Sequence, residues 1–203
     1  MIKNLVFDFG NVLAHFDPAY MVGLKVTDRK DAELLKEVVF DRLYWDKLDL
    51  GTLSNEETAA LYRERLPERL WQVADGIFYN WVYTLPEMEG MRELIELAKK
   101  KYGVRTFLLS NISKYFAEHR KDVPILGLID NCVFSAEIGI VKPDKKIYEY
   151  LLRTYSLDPE ETVFIDDREE NVAAANALNI HGYRFDGDAQ ALESYLDRLS
   201  EEG

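Results

Sequence analysis

The sequence predicts an α/β fold: a doubly wound parallel sheet with a helical cap inserted after its first strand. Three observations predict it. Short, near-continuous apolar runs recur along the chain, each too short for a helix. Amphipathic patterns separate the later runs, the alternation expected of strand–helix–strand crossovers. Residues 14–83 carry helical patterns and no convincing strand, several times the length of an ordinary connection.

The apolar runs are Leu5-Val6-Phe7, Thr106-Phe107-Leu108-Leu109, Cys132-Val133-Phe134, Val163-Phe164-Ile165 and a weaker one at Gly182-Tyr183-Arg184-Phe185. Residues 91–100 repeat apolar side chains at Met91, Leu94, Ile95, Leu97 and Ala98, a helical stripe. Residues 145–155 do so at Ile147, Tyr150, Leu151 and Tyr155. Residues 169–178 are rich in alanine, which suits a helix packed closely on a sheet, and residues 189–199 form the last helix. Within the insertion, helices are expected over residues 31–43, 54–66 and 68–81. Ser54 with Glu57 reads as a capping box, after a turn at Leu50-Gly51-Thr52-Leu53. The implied division is residues 1–14 and 85–203 for the α/β core and 15–84 for the cap. The tail Ser200-Glu201-Glu202-Gly203 is expected to fray.

Composition narrows the function. A chain of 203 residues, 47 % hydrophobic, can bury roughly 70 % of the surface its unfolded form exposes. Its net charge of −12 lacks the basic footprint that nucleic acid or an anionic membrane requires. The longest basic run, Lys99-Lys100-Lys101, falls at the end of an expected helix, where cations are favoured. A small phosphorylated substrate remains compatible, because a metal ion and local donors set the field inside a pocket. Cys132 is the sole cysteine, so no intrachain disulfide forms; in its apolar run it reads as a small hydrophobe. The first ten residues lack a signal peptide's apolar core, and no run approaches the roughly 18 apolar residues of a membrane span. A cytoplasmic monomer or homodimer is expected.

The chemistry lies where polar residues end the strands. The first run ends in Asp8-Phe9-Gly10-Asn11, the second in Ser110-Asn111, and the fourth in Asp166-Asp167; Lys142-Pro143-Asp144 follows the third. In a parallel sheet these ends share one edge. Two carboxylates about 4 Å apart repel by roughly 4 kcal/mol at an effective dielectric near 20, so a proton or a cation must relieve them. All-oxygen ligands suit Mg²⁺. Asp8 is then a candidate carboxylate nucleophile. Ser110, the amide of Asn111 and Lys142 are candidate holders of phosphate oxygens. Each has a blander alternative: a helix cap for Ser110-Asn111 or Asp166-Asp167, and a turn residue for Lys142.

These four pieces, in this order and with a cap-sized gap after the first, resemble the haloacid dehalogenase superfamily. They are Leu5-Val6-Phe7-Asp8-Phe9-Gly10-Asn11-Val12, Phe107-Leu108-Leu109-Ser110-Asn111, Lys142-Pro143-Asp144, and Val163-Phe164-Ile165-Asp166-Asp167 with Asn171 beyond. The resemblance implies that Asp8 attacks phosphorus. It implies that Mg²⁺ is held by Asp8, the carbonyl of Gly10 and Asp166, and that Asp167 binds the metal through water or holds Lys142. Ser110, Asn111 and Lys142 would neutralise the phosphoryl oxygens, and Asn171 would orient the shell.

One position departs from the family. The usual second acid, two residues after the nucleophile, is Gly10, so general acid–base help, typically worth 10²–10⁴-fold, is missing. Three explanations compete: a substrate with a good leaving group, a substitute among His15, Asp17 and Asn11, or a slow or non-catalytic relative. The Gly10-Asn11-Val12 variant resembles a branch that includes sugar 1-phosphate phosphatases, which implies a sugar phosphate. Rival readings are metal-free haloacid dehalogenation and a binding or regulatory protein. His15 is a candidate for the substrate pocket or for a cap hinge, as Asn11 is for the pocket. His119 is expected on a helix surface and His181 in a loop. Trp45, Trp71, Trp81 and the tyrosines of the insertion read chiefly as cap core, with one or two of them expected to line the substrate pocket.

Overall fold

Strand β1 (Asn4–Phe7) lies at the centre of the fold, and Leu5, Val6 and Phe7 are wholly buried. The structure, a computed structural model, describes residues 1–201. Strands β2 (Arg105–Ser110), β3 (Asn131–Phe134), β4 (Thr162–Asp166) and β5 (His181–Arg184) complete a wholly parallel sheet in the order β3-β2-β1-β4-β5. Val6 sits level with Phe107 of β2 and Phe164 of β4. Helices cover both faces, which is why the strands read as continuous apolar runs rather than alternating ones.

Outside the insertion, the helices are α6 (Met91–Tyr102), α7 (Lys114–His119), α8 (Ser135–Ile138), α9 (Lys145–Tyr155), α10 (Glu169–Asn176) and α11 (Ala189–Glu201); those of the insertion, α1–α5, are given below. Leu5, Phe7, Leu108 and Ile165 pack under α6 and α11 with Leu94, Ile95, Leu192 and Leu196. Val6, Phe107, Leu109 and Phe164 pack on the other face with Ile147, Tyr148 and Leu151 of α9 and Ala175 of α10. The strand order reverses direction between β1 and β4, and the carboxyl ends of strands flanking such a switch point form a binding crevice. Those ends carry Asp8 and Asp166.

Residues 15–84 hold α1 (Pro18–Gly23), α2 (Arg29–Val39), α3 (Arg42–Asp49), α4 (Asn55–Arg65) and α5 (Trp71–Phe78), and no described residue there is in a strand. These helices gather their own apolar cluster, including Val22, Leu35, Val39, Tyr62, Ala74 and Phe78. The chain leaves and re-enters the core side by side. Ala14 bridges to Glu87, the His15 N–H donates to the Pro86 carbonyl at 2.9 Å, and the Met88 N–H donates to the Leu13 carbonyl at 3.0 Å.

Several local expectations change. The helix expected over residues 31–43 is two helices, because Asp41 turns extended and its carboxylate caps the Leu43 N–H at 2.9 Å. The helix expected over 68–81 opens as a 3₁₀ turn, Glu68–Leu70, and ends at Phe78. The capping box forms, with Ser54 and Glu57 exchanging bonds of 2.8 and 3.1 Å. The short helices α1, α7 and α8 gave little periodic signal, although Asp17-Pro18 supplies an N-cap and a first-turn proline for α1. His181 opens β5 rather than lying in a loop. Of the tail expected to fray, Ser200 and Glu201 continue α11, whereas Glu202 and Gly203 lie outside the described residues. Among the described residues no helix is long and apolar enough to cross a membrane.

Candidate active site

The carboxylate of Asp8 sits just beyond β1, nine-tenths buried. Its Oδ1 accepts three donors: the Phe9 N–H at 2.7 Å, the Ser110 hydroxyl at 2.8 Å and the Lys142 ammonium at 2.9 Å. Oδ2 has no donor among the described residues. Burial is the main cause that pushes the Asp8 carboxyl up to about 6; Lys142 opposes the shift and Asp166 adds to it.

Lys142 arrives from the loop after β3 and is itself buried. Its ammonium donates to Asp166 Oδ2 at 2.6 Å as well as to Asp8. Burial pulls the amine down, but the two carboxylates outweigh it and hold Lys142 above the ordinary lysine range. Asn111 clasps the main chain of Lys142 from both sides, accepting its N–H at 2.7 Å and donating to its carbonyl at 2.9 Å. The Asn111 side chain is therefore committed to placing Lys142. Its main-chain N–H, and that of Gly10, have no acceptor among the described residues, and both residues line the cavity above Asp8. The helix-cap alternative for Ser110-Asn111 does not hold, because α7 is capped by Ser113.

The two acids that end β4 face different ways, as successive residues of an extended chain do. Asp166 is wholly buried. It accepts from Asn171 Nδ2 at 2.9 and 3.0 Å, from the Arg168 N–H at 2.9 Å and from Lys142. So Asp166, not Asp167, is the acid that grips Lys142. Asp167 lines the cavity, and the Asn11 amide donates to it at 3.3 Å. Burial, with Asp166 next, raises the Asp167 carboxyl above its usual range. Asn11 holds a left-handed backbone, φ 57°, a conformation asparagine tolerates better than most residues. Its Oδ1 accepts the Phe16 N–H at 3.1 Å, tying the acidic centre to the start of the insertion.

Oxygens of Asp8, Asp166 and Asp167 lie within 4.8 Å of one another. Three carboxylates beside one ammonium leave two negative charges when all are ionised, which a divalent cation would cancel. A second feature fits an ion with its waters: Asn171 Oδ1 is buried beside Asp166 with no donor among the described residues, and a water or ion is one partner that satisfies such a group. An all-oxygen donor set suits Mg²⁺ over softer metals.

Above this centre lies a cavity of about 580 Å³. The core supplies its acidic floor and the insertion its far wall: Phe16, Phe40 and Trp45, with Arg42, Asp46 and Asp49 of α3. Trp81 completes an aromatic group with Phe16 and Trp45, ring centroids 5.3–5.6 Å apart. Of the insertion's tryptophans, Trp45 and Trp81 are the ones that line the cavity, whereas Trp71 is partly exposed outside it. His15 is exposed and outside the cavity wall, where its main chain serves the connection to Pro86. Asp17 also lies outside, its carboxylate capping α1. His119 closes α7 and stacks on Tyr115. Sequence reasoning did not single out Asp49, Arg42 or Ser135. No local motif marks them, because their role depends on where α3 docks.

A doubly wound sheet with a carboxylate, a hydroxyl and a lysine converging at its switch point, under a helical cover, defines an α/β protein with a polar site built around an aspartate. The family model for haloacid dehalogenase-like hydrolases matches residues 2–179, and the chain belongs to that family. It is 25 % identical over 204 residues to a D-ribitol-5-phosphate phosphatase of Bacteroides thetaiotaomicron, covering 93 % of this chain and 94 % of that one. It is 25 % identical over 181 residues to a sesquiterpene phosphatase of Aspergillus oryzae, covering 89 % and 88 %. Among solved structures, a HAD-like hydrolase of Porphyromonas gingivalis superposes with a TM-score of 0.68 at 23 % identity, over 98 % of both chains. A HAD family enzyme of B. thetaiotaomicron, solved as a mutant in complex with magnesium and inorganic phosphate, superposes with 0.65 at 22 % identity, over 91 % of this chain and 94 % of that one.

Proposed function

We propose that this protein is a Mg²⁺-dependent phosphatase that hydrolyses a small phosphorylated metabolite through an aspartyl-phosphate on Asp8. One observation carries the reading: Asp8, Ser110 and Lys142 meet within hydrogen-bond distance at the floor of a cavity that also holds Asp167. In this reading Asp8 attacks phosphorus, with the attacking and leaving oxygens roughly in line. Ser110, Lys142 and the free N–H groups of Gly10 and Asn111 receive the phosphoryl oxygens, where preorganised donors act most strongly. Asp8, Gly10 and Asp167 line the cavity; the two carboxylates and the Gly10 carbonyl would hold Mg²⁺, with Asp166 fixing Lys142. Bound there, the ion would offset the charge of the phosphoryl group. The helical domain, residues 15–84, would cover the substrate and exclude water from it.

The acidic floor speaks against metal-free dehalogenation, since a halide leaving as an anion gains nothing from concentrated negative charge. For the substrate, a sugar or polyol phosphate fits best: Arg42, Asp46 and Asp49 offer partners for hydroxyl groups, and Phe16, Trp45 and Trp81 offer faces for the carbon skeleton. A hexose 1-phosphate is one such compound. The aromatic wall supports a second reading, the phosphate of an apolar alcohol. A screen of sugar, polyol and prenyl phosphates, with Mg²⁺ and with EDTA, tests both. Turnover that needs Mg²⁺ and vanishes in Asp8→Asn is expected; equal rates in Asp8→Asn and wild type would remove the phosphatase reading.

A further inference from the structure

The site as described contains a nucleophile and a phosphate cradle but no proton donor for the leaving oxygen. Gly10 has no side chain, and His15 and Asp17 lie outside the cavity. In-line geometry puts the leaving oxygen on the side of phosphorus away from Asp8, in the cavity that α3 helps to wall. That wall offers three ionisable side chains. Arg42 does not release a proton in proteins. Asp46 is exposed and pairs with Arg42 at 2.7 Å. Asp49 alone of the three is without a side-chain hydrogen bond or ion pair among the described residues.

Its position is also fixed. The Asp49 carbonyl accepts the buried Ser135 hydroxyl at 2.5 Å, and the same oxygen of Ser135 receives the Ile112 N–H at 2.9 Å. Two residues on, Gly51 (φ +73°) lies so close to the core that a Cβ there would stand 2.3 Å from the Ala136 carbonyl. The end of α3 is thus bolted to the loop that follows Ser110. The helix itself does not favour an acid at this place, since the C-terminal end of a helix repels negative charge. We propose that Asp49 is the general acid and base of this hydrolase, supplied from the cap in place of the side chain that Gly10 lacks.

The proposal rests on the phosphatase reading above. In the first half-reaction a carboxylate oxygen of Asp8 bonds to phosphorus, the bond from phosphorus to the leaving oxygen breaks, and the proton of neutral Asp49 passes to that oxygen. In the second, water attacks phosphorus, its proton passes to the Asp49 carboxylate, and the bond to Asp8 breaks. Ester and water become alcohol and phosphate, and both aspartates return to their starting states. Burial supports the protonated form: it pushes the Asp49 carboxyl up to about 7, Arg42 and Lys142 opposing and Asp46 and Asp8 adding. A donor near the operating pH is the efficient one.

The test is a series of substituted phenyl phosphates, from p-nitrophenyl to p-methoxyphenyl, given to wild type, Asp49→Asn, Asp49→Glu and Asp8→Asn with Mg²⁺. A good leaving group needs no proton; a poor one does. In Asp49→Asn, p-methoxyphenyl phosphate should lose about 100-fold or more in kcat/KM and p-nitrophenyl phosphate less than about five-fold. Asp49→Glu should recover part of the loss, and the alkaline fall of the p-methoxyphenyl profile should disappear in Asp49→Asn. Equal losses across the series, or none, in an Asp49→Asn protein that unfolds at or above the wild-type temperature overturn the proposal and leave the phosphatase reading standing. Wild-type rates in Asp8→Asn would instead overturn both.

Discussion

Replacing Asp49 by asparagine should stabilise the free enzyme, increasingly so as pH rises. The folded protein holds this carboxyl at about 7 against 3.8 for an unhindered aspartate. With the folded value the higher, the native state binds more protons than the unfolded chain between the two, and stability falls as pH climbs through that window. Below about pH 4 both states are protonated and the cost is absent; above about pH 7 it is complete. At about 1.4 kcal/mol per pH unit the full cost is on the order of 4 kcal/mol. Water entering the cavity offsets part of it, so about 2–4 kcal/mol is the expected gain at high pH. Asparagine keeps the shape and carries no charge. Urea unfolding of both proteins in EDTA, near pH 4 and near pH 8, measures the difference. A gain below about 1 kcal/mol near pH 4 should grow to about 2–4 kcal/mol near pH 8. The latter raises Tm by about 4–16 °C in a chain of this length. The same difference at both pH values, or a loss near pH 8, would show that Asp49 is ionised and satisfied in the free enzyme, and the reasoning would fall. Stability given up at a working site is a common trade.

Two other outcomes follow from the same contacts. A Cβ at Gly10 would meet only the Phe16 Cβ, at 3.6 Å, an ordinary contact; Gly10→Asp should therefore fold, and in the Asp49→Asn background it should restore p-methoxyphenyl phosphate turnover by about ten-fold or more, read as phosphate release. Ser135→Ala removes the hydroxyl that joins the Asp49 carbonyl to the Ile112 N–H; it should cost about 1–3 kcal/mol in unfolding free energy and speed hydrogen exchange at the end of α3, whereas unchanged exchange there would show that the cap is held elsewhere.

Much of this protein is legible from its sequence, for a local reason. A strand buried on both faces needs an unbroken apolar run, so β1 to β4 are visible in order, and the polar residue that ends each run falls at the shared edge of a parallel sheet. Asp8, Ser110, Lys142 and Asp166-Asp167 are in this way legible as neighbours in the sequence alone. The helix breaks at Asp41 and after Pro67 were less visible, because a single cap or turn decides them against a continuing apolar stripe.

The sheet, its acidic edge and the family follow from the amino-acid sequence, because they rest on patterns a few residues long. Tertiary structure decided which acid faces the cavity, since adjacent residues Asp166 and Asp167 differ only in the side of the chain they leave. It also decided that Asn111 spends its side chain on Lys142, that His15 stays outside, and that Asp49 reaches the pocket. These depend on how a separate helical unit docks on the core through Ser135 and Gly51, and contacts between residues 86 positions apart leave no period or motif to read.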